Sequence, residues 1–366
     1  MSFLVVMLFS STTALIKSCF LVVMLFSSTT ALIKSCNYRF IDGGKSFNVH
    51  YDSISSSSSS TTTSTLVLNG FGVGTFHQHK LMNELHKIDS LQTINALDVI
   101  GQGDSWPVIQ KKQEPSQFGT SINERNLEYS AALWLRQIEF FIQNFMQEPK
   151  IDIVGNSLGG YLAIQLAARL PSSKVRRICL LNATPLWGAN LPGFNGILPA
   201  NFLARNVGFR LFDLIRKTVT IKSYLNAAYH QFNDDELVQL IQNVTTNNQG
   251  GHAAFASILF TPNAGLPSTD EAIRMIPQDS EVCLVFGAND PWCTPAVARA
   301  FARRFQAKTM LRYFSLKNCG HCPNNEQPTI TADIISNPTS ATSQQPETDF
   351  SPSNPFETFQ TNFLFK

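Results

Sequence analysis

Charge is scarce in this chain. Only 15% of its 366 residues are Asp, Glu, Lys or Arg, and the net charge is +2. So even a balance provides no field for nucleic acid and no attraction for a strongly acidic partner. Cysteine gives no framework either, because the seven cysteines are scattered and odd in number. Cys319-Gly320-His321-Cys322 looks superficially like metal or redox chemistry. No second Cys/His cluster supplies the remaining ligands of a zinc site, so neither a metal nor a cofactor is expected. Acidic residues are absent before Asp42. The apolar runs in that region are too short to span a bilayer, which takes about 20 residues.

That acid-free region is a tandem duplication. Residues 3–19 recur without change as residues 20–36. The period fits no solenoid, and two copies could not bury a stacked core. Apolar, Ser/Thr-rich and acid-free composition marks residues 1–36 as a targeting leader, for an organelle or for secretion. A folded core is expected over 37–184 and 262–336, interrupted at 185–261, with a polar, disordered tail from 337 to 366. The core opens with two strands around Gly43-Gly44, and the nearly pure Ser/Thr tract at 55–65 reads as a surface loop.

The most informative stretch is 151–160. A short apolar strand runs into Gly155-Asn156-Ser157-Leu158-Gly159, and an Ala/Leu-rich helix follows. That is the strand–turn–helix context in which G-x-S-x-G makes a nucleophile elbow, with Ser157 raised above the sheet edge. Further apolar strands are expected at 66–68, 94–100, 175–181, 282–286 and 309–314, with helical spacing at 127–145 and 296–305. Strands alternating with helices predict a mostly parallel, doubly wound α/β sheet, whose ligands bind at the carboxyl ends of the strands.

Residues 185–261 break the alternation. They are mainly helical in pattern at 209–215 and 235–242, and rich in aromatics that include Trp187 and Phe255. An insert after the strand that follows the elbow helix would lie over the carboxyl edge as a lid. Its aromatics favour a bulky apolar ligand, and Trp187, Phe255, Gly72 and Asn156 are the expected substrate contacts.

Ser157, Asp290 and His321 fall at strand ends in the chain order of an α/β-hydrolase. His321 would take the serine proton, and Asp290 would orient the imidazole. Asp98 and Asp270 are weaker candidates for the acid, the first in a turn and the second ahead of its strand. The oxyanion donors are expected to be the backbone N–H groups of Leu158 and Phe71.

The stretches 69–77, 97–107, 155–161, 181–188, 254–260, 287–292 and 320–323 together resemble the pheophytinase group of α/β-hydrolases, over about residues 38–335. This resemblance implies the α/β-hydrolase fold, a Ser157/Asp290/His321 triad, no cofactor and no metal. It further implies cleavage of the phytyl ester of magnesium-free chlorophyll. The implied partner is a lipophilic phytylated tetrapyrrole, in a plastid and peripheral to its membrane, with the secretory pathway as the other destination the leader allows. A C-terminal helix after the histidine loop reads as shortened or replaced by the tail. The alternatives are a chlorophyll dephytylase, another lipophilic-ester hydrolase or perhydrolase, and a non-catalytic tetrapyrrole- or lipid-binding protein on the same scaffold.

Overall fold

Apolar runs bounded by Gly, Pro and Asn become the strands of one sheet. The computed structural model describes residues 18–20, 32–55, 63–108, 129–183, 202–247, 266–308 and 310–339. Its strands are β1 (Ser18–Phe20), β2 (Lys34–Asp42), β3 (Lys45–Ile54), β4 (Thr63–Leu68), β5 (Thr93–Leu97), β6 (Trp106–Pro107), β7 (Lys150–Asn156), β8 (Val175–Leu181), β9 (Glu281–Gly287) and β10 (Leu311–Leu316). The spatial order is β1-β2-β3-β5-β4-β7-β8-β9-β10, with β6 on β3. From β5 to β10 every pairing is parallel, and the first three strands join antiparallel.

The parallel strands are near-continuous apolar runs because both faces are covered. Successive side chains alternate between faces. Leu66, Ile153, Ile178, Leu180, Leu284 and Phe286 therefore join one core, while Val67, Val154, Cys179, Leu181, Cys283 and Val285 join the other. The first core is closed by α2 (Ala131–Phe145), α3 (Leu158–Ala167), α7 (Thr269–Met275) and α8 (Pro295–Arg303), and the second by α1 (His79–Ile88) and α10 (Pro328–Ser336). Between β8 and α7 stand α4 (Phe202–Ile215), α5 (Thr218–Ala228) and α6 (Asp235–Asn247), the helical lid of this α/β-hydrolase fold. The lid forms a separate small core of Ile221, Leu225, Tyr229, Leu237 and Val238 that also takes in Val73 and Cys322 from the carboxyl edge. No described helix is long and apolar enough to cross a membrane.

Several expectations need correction. The leader boundary at 36/37 falls inside β2: Cys36 is buried, and the Ser35 hydroxyl lies 2.6 Å from His50 Nε2. Ser18 to Phe20, at the junction of the two copies, pairs antiparallel with Ser35 to Asn37, so the repeat adds a strand beside its own second copy. The Ser/Thr tract ends in structure, since Thr63, Ser64 and Thr65 begin the central strand β4 and the last two are buried. The strand expected at 94–100 stops at Leu97. Ile100 N–H instead donates to Gln137 Oε1, while the Asp98 and Ile100 carbonyls accept from Gln137 Nε2 and Trp134 Nε1. The C-terminal helix is present as α10, and together with α9 (Pro323–Glu326) it follows the histidine loop directly. Residues 1–17, 21–31, 56–62, 109–128, 184–201, 248–265, 309 and 340–366 lie outside the described residues. Trp187, Phe255, most of the leader, the middle of the Ser/Thr tract and nearly all of the tail are among them.

The elbow strand, α3 and the neighbouring strand ends meet by backbone. A Cβ on Gly159 would stand 2.2 Å from the Leu68 carbonyl oxygen, and one on Gly155 would stand 2.3 Å from the Gly159 oxygen. Neither contact can be relieved by turning a side chain. Gly159→Ala is expected to lower stability by about 2–4 kcal/mol, measured as a lower urea midpoint with an unchanged m-value.

Candidate active site

Ser157 joins β7 to α3 at φ 52° and ψ −116°, a conformation that L residues rarely adopt. Such a backbone costs about 1–3 kcal/mol and persists only where its surroundings impose it. The Leu181 carbonyl accepts from Ser157 N–H at 3.0 Å, and the Ser157 carbonyl accepts from Gly160 N–H at 3.0 Å. The side chain is half-buried. Leu158 is the first residue of α3, so its N–H is one that a helix leaves without an intrahelical carbonyl.

Gly70 stands directly against this turn. A Cβ there would lie 3.2 Å from Asn156 Oδ1 and 3.3 Å from Ser157 Cβ. Phe71, next in the loop after β4, is half-buried against the main core. Gly72 follows at φ +79° and donates its N–H to Gln102 Oε1 at 2.8 Å. Asn69 Nδ2 and Thr75 N–H both donate to Asp98 Oδ1, at 3.0 and 2.9 Å. The loop that carries Phe71 is thus fastened on both flanks to the β5 loop.

His321 and Asp290 come together at the ends of β10 and β9, with His321 Nδ1 2.7 Å from Asp290 Oδ2. Both residues are buried. Burial alone would raise the Asp290 carboxyl. The hydrogen bond and charge of His321, with the N–H groups of Cys293 and Trp292, hold it below the usual carboxylate range instead. Because Nδ1 faces the carboxylate, Nε2 is the nitrogen left to exchange a proton with a neighbour. The Trp292 ring stands edge-on to His321 at 4.8 Å and is 49% exposed, forming a wall between the imidazole and solvent. Asp98, a weaker candidate for the acid, is fully committed elsewhere, to His50, Asn69, Thr75 and Asp104. Asp270, on α7, pairs with Arg304.

Asn156, expected to touch substrate, is buried, and its Nδ2 donates at 3.1 Å to both the Leu181 and the His321 carbonyls. It ties the histidine loop to the residue before Ser157. Three further residues escaped the sequence reading. Asn182, at φ 42°, donates through Nδ2 to Asp290 Oδ2 at 2.5 Å and accepts from Gly287 N–H through Oδ1. Glu326 accepts from Gly320 and Cys322 N–H on either side of His321 and from His230 N–H after the lid helix α5. His77 Nε2 lies 2.8 Å from the Tyr229 hydroxyl, also of the lid. His321 N–H itself donates to the Ala228 carbonyl at the end of α5, at 2.7 Å. His77 and Asn182 fall in the quoted stretches 69–77 and 181–188, which assign them no role, and Glu326 falls in none.

Two groups of described residues bring three ligand-type atoms close together: Asp290, Cys293 and His321, and His50, Asp98 and Asp104. In each group the histidine Nδ1 is already bonded to the aspartate. The cysteines of the Cys-Gly-His-Cys stretch are buried, and burial pushes both thiols well up, so they pack as neutral groups.

Two buried histidines set a pH dependence of opposite sign. Burial opposes a charge on His50, but bonds to and charges of Asp52 and Asp98 outweigh it and raise His50 from 6.5 to about 10. The folded state then holds this proton more tightly than the unfolded chain, so its stabilisation is full below pH 6.5 and is lost as pH rises towards 10. Burial, with Lys80 and His321 adding to it, pushes His77 down to about 3. Its stabilisation is full above 6.5 and is lost as pH falls towards 3. The melting temperature is therefore expected to peak near neutrality. His50→Gln should flatten the alkaline limb of a pH–Tm profile and also soften the acid limb by the part that Asp52 owes to His50, leaving the part set by His77.

A model of the alpha/beta hydrolase family matches residues 66–334, which include Ser157, Asp290 and His321. The chain is similar to the chloroplastic pheophytinase of Arabidopsis thaliana, at 28% identity over 309 residues, 77% of this chain. The match spans 62% of that protein's length. It is also similar to a 2-hydroxymuconate semialdehyde hydrolase of a Pseudomonas species, at 24% identity over 60% of this chain and 71% of that protein. Among solved structures, an esterase of Thermogutta terrifontis superposes with a TM-score of 0.57 at 14% identity, covering 82% of this chain and 96% of that one. With the family match covering the sheet from β4 through α10, the chain belongs to the alpha/beta hydrolase family.

Proposed function

We propose that this protein is a serine hydrolase of a lipophilic carboxylic ester, and that it removes phytol from pheophytin. The observation that carries the hydrolase reading is the 2.7 Å bond between His321 Nδ1 and Asp290 Oδ2, on a loop tied to Asn156 beside the strained serine. In this mechanism Ser157 Oγ attacks the ester carbonyl as His321 Nε2 takes its proton, and Asp290 stabilises the imidazolium. The carbonyl oxygen gains charge and is met by the N–H groups of Phe71 and Leu158. His321 then gives the proton to the departing alcohol oxygen. Water, activated by the same imidazole, releases the acid from the serine.

The pigment assignment is supported by the 28% identity to a pheophytinase and by the apolar lid over the carboxyl edge. The chloroplastic location in that relative's name favours a plastid for this protein. In this reading its partner is a lipophilic small molecule met at the plastid membrane surface, and no nucleic acid is involved. A carbon–carbon hydrolase is the second reading, favoured by the 24% similarity to a 2-hydroxymuconate semialdehyde hydrolase.

Purified protein incubated with pheophytin is expected to release phytol, and with chlorophyll to release much less. Ser157→Ala should lower kcat by about 10⁴-fold or more, and Asp290→Asn by about 10⁴-fold. Equal turnover of the two pigments would remove the magnesium-free specificity and leave the hydrolase. Activity on 2-hydroxy-6-oxo dienoates but on no ester would favour the second reading.

A further inference from the structure

Beside the oxyanion loop is a small crevice of about 20 Å³ with mostly apolar walls. Phe71, Trp106 and Phe212 line it, with Val244 and Thr245 of α6, so it runs from the loop that carries a proposed oxyanion donor to the underside of the lid. The polar atoms along it are matched within the protein. Trp106 Nε1 donates to the Gly103 carbonyl, and Thr245 Oγ1 donates to the Ile241 carbonyl. Gln102 is the exception. It lines the crevice and is only 4% exposed, and its Nε2 has no acceptor among the described residues. The orientation of this amide is fixed by chemistry, because Gly72 N–H requires an acceptor and the Gln102 atom 2.8 Å from it must be oxygen. The NH₂ group is therefore the end left over. A buried amide without a partner marks a place for a ligand or solvent. Gln78 and Asn95 also have unmatched buried amide atoms, but of these Gln102 alone lines the crevice.

We infer that Gln102 is a specificity-determining residue whose Nε2 donates a hydrogen bond to a second oxygen of the substrate, a ketone or further ester carbonyl a few bonds from the scissile ester. The preferred substrate class is thus a bulky apolar ester bearing one additional carbonyl near the reacting centre. The assignment rests on the ester-hydrolase reading. One amide has two duties: Oε1 fixes Gly72, next to the oxyanion donor Phe71, and Nε2 reads the substrate. A correctly seated carbonyl would draw on the same side chain that sets the loop. An apolar group in its place leaves the amide unmatched, which is how a buried polar site discriminates against the analogue that lacks its partner.

The test uses the full-length protein and fatty esters in which a ketone replaces one methylene at successive positions of the acyl chain or of the alcohol. Each is compared with its all-methylene counterpart by acid release in a pH-stat. Wild type is expected to favour the ketone at one position by about tenfold or more in kcat/KM. Gln102→Glu keeps an acceptor for Gly72 N–H and removes the donor, so the ratio should fall to unity or reverse. Gln102→Met should also lose the ratio, with a lower kcat on both esters because the loop anchor is gone. Equal turnover of every pair by wild type, as when solvent alone satisfies the amide, overturns the inference and leaves the hydrolase reading intact, whether or not either variant folds. A wild-type ratio retained by Gln102→Glu also overturns it. No acid release from any ester, with wild type matching Ser157→Ala, overturns the hydrolase reading and this inference with it.

Discussion

The structure turns on a backbone constraint at Ser157. The chain must leave β7 and enter α3 within one residue, and that residue sits at φ 52°. The turn closes only where Gly155, Gly159 and Gly160 let main chains approach within distances that a Cβ would violate, including 2.4 Å to the Ala183 Cβ for Gly160. The same crowding spreads along the carboxyl edge. A Cβ on Gly287 would stand 1.9 Å from the Gly320 carbonyl oxygen, and one on Gly320 would stand 2.1 Å from the Ala228 carbonyl oxygen. The elbow, the acid loop, the histidine loop and the lid therefore pack by main chain against main chain. Their relative positions are set with little freedom for side-chain adjustment, as preorganised catalysis requires.

On this edge the lid and the base act as one body. Glu326 gathers N–H groups from both neighbours of His321 and from His230, and His321 N–H bonds to the last turn of α5. The His77–Tyr229 contact and the Asn324 amide, which donates to the His77 carbonyl, add a second fastening from the oxyanion side. Displacing the end of α5 would break a bond to the residue that carries the imidazole. Under the proposed function, a substrate that presses on the end of α5 would also act on the position of His321.

What was legible in the sequence follows from how local the controlling physics is. The elbow could be read because its glycine spacing answers a backbone demand within a few residues. The strand at Val175–Leu181 could be read because a central parallel strand is apolar throughout. The end of β5 could not. Val99 and Ile100 are as apolar as the strand before them, and Gln137 and Trp134, brought in by α2, join His50 and Ser105 in satisfying the backbone that leaves the ladder. Thr63 to Thr65 were hidden by composition, although hydroxyl side chains fit a buried strand when neighbours on both sides complete the ladder. The final helix did carry a signal, Pro328 at its first position with Ile334 and Ile335 turned inward, which a reading weighted towards the polar tail passed over. Ser157, Asp290 and His321 were visible as an order of three residue types. Asn182, Glu326 and His77 were not, since their partners include residues about a hundred or more positions away.

The same distinction separates reaction from substrate. The groups proposed to react stand at strand ends and carry a local sequence signal, although Asp290 and His321 are also held from distant positions. Groups that choose the substrate lie where the lid meets the sheet edge, and their surroundings are assembled from distant parts of the chain. The crevice beside Phe71 joins the β4 loop, the β5 loop and two lid helices, and no stretch of sequence contains it. Within its apolar walls, orientation falls to the polar atoms that the fold leaves unmatched, because an apolar surface binds without direction and a hydrogen bond does not. On the proposed reading, specificity at this site rests less on Ser157, Asp290 and His321 than on the partner that the buried Gln102 amide still requires.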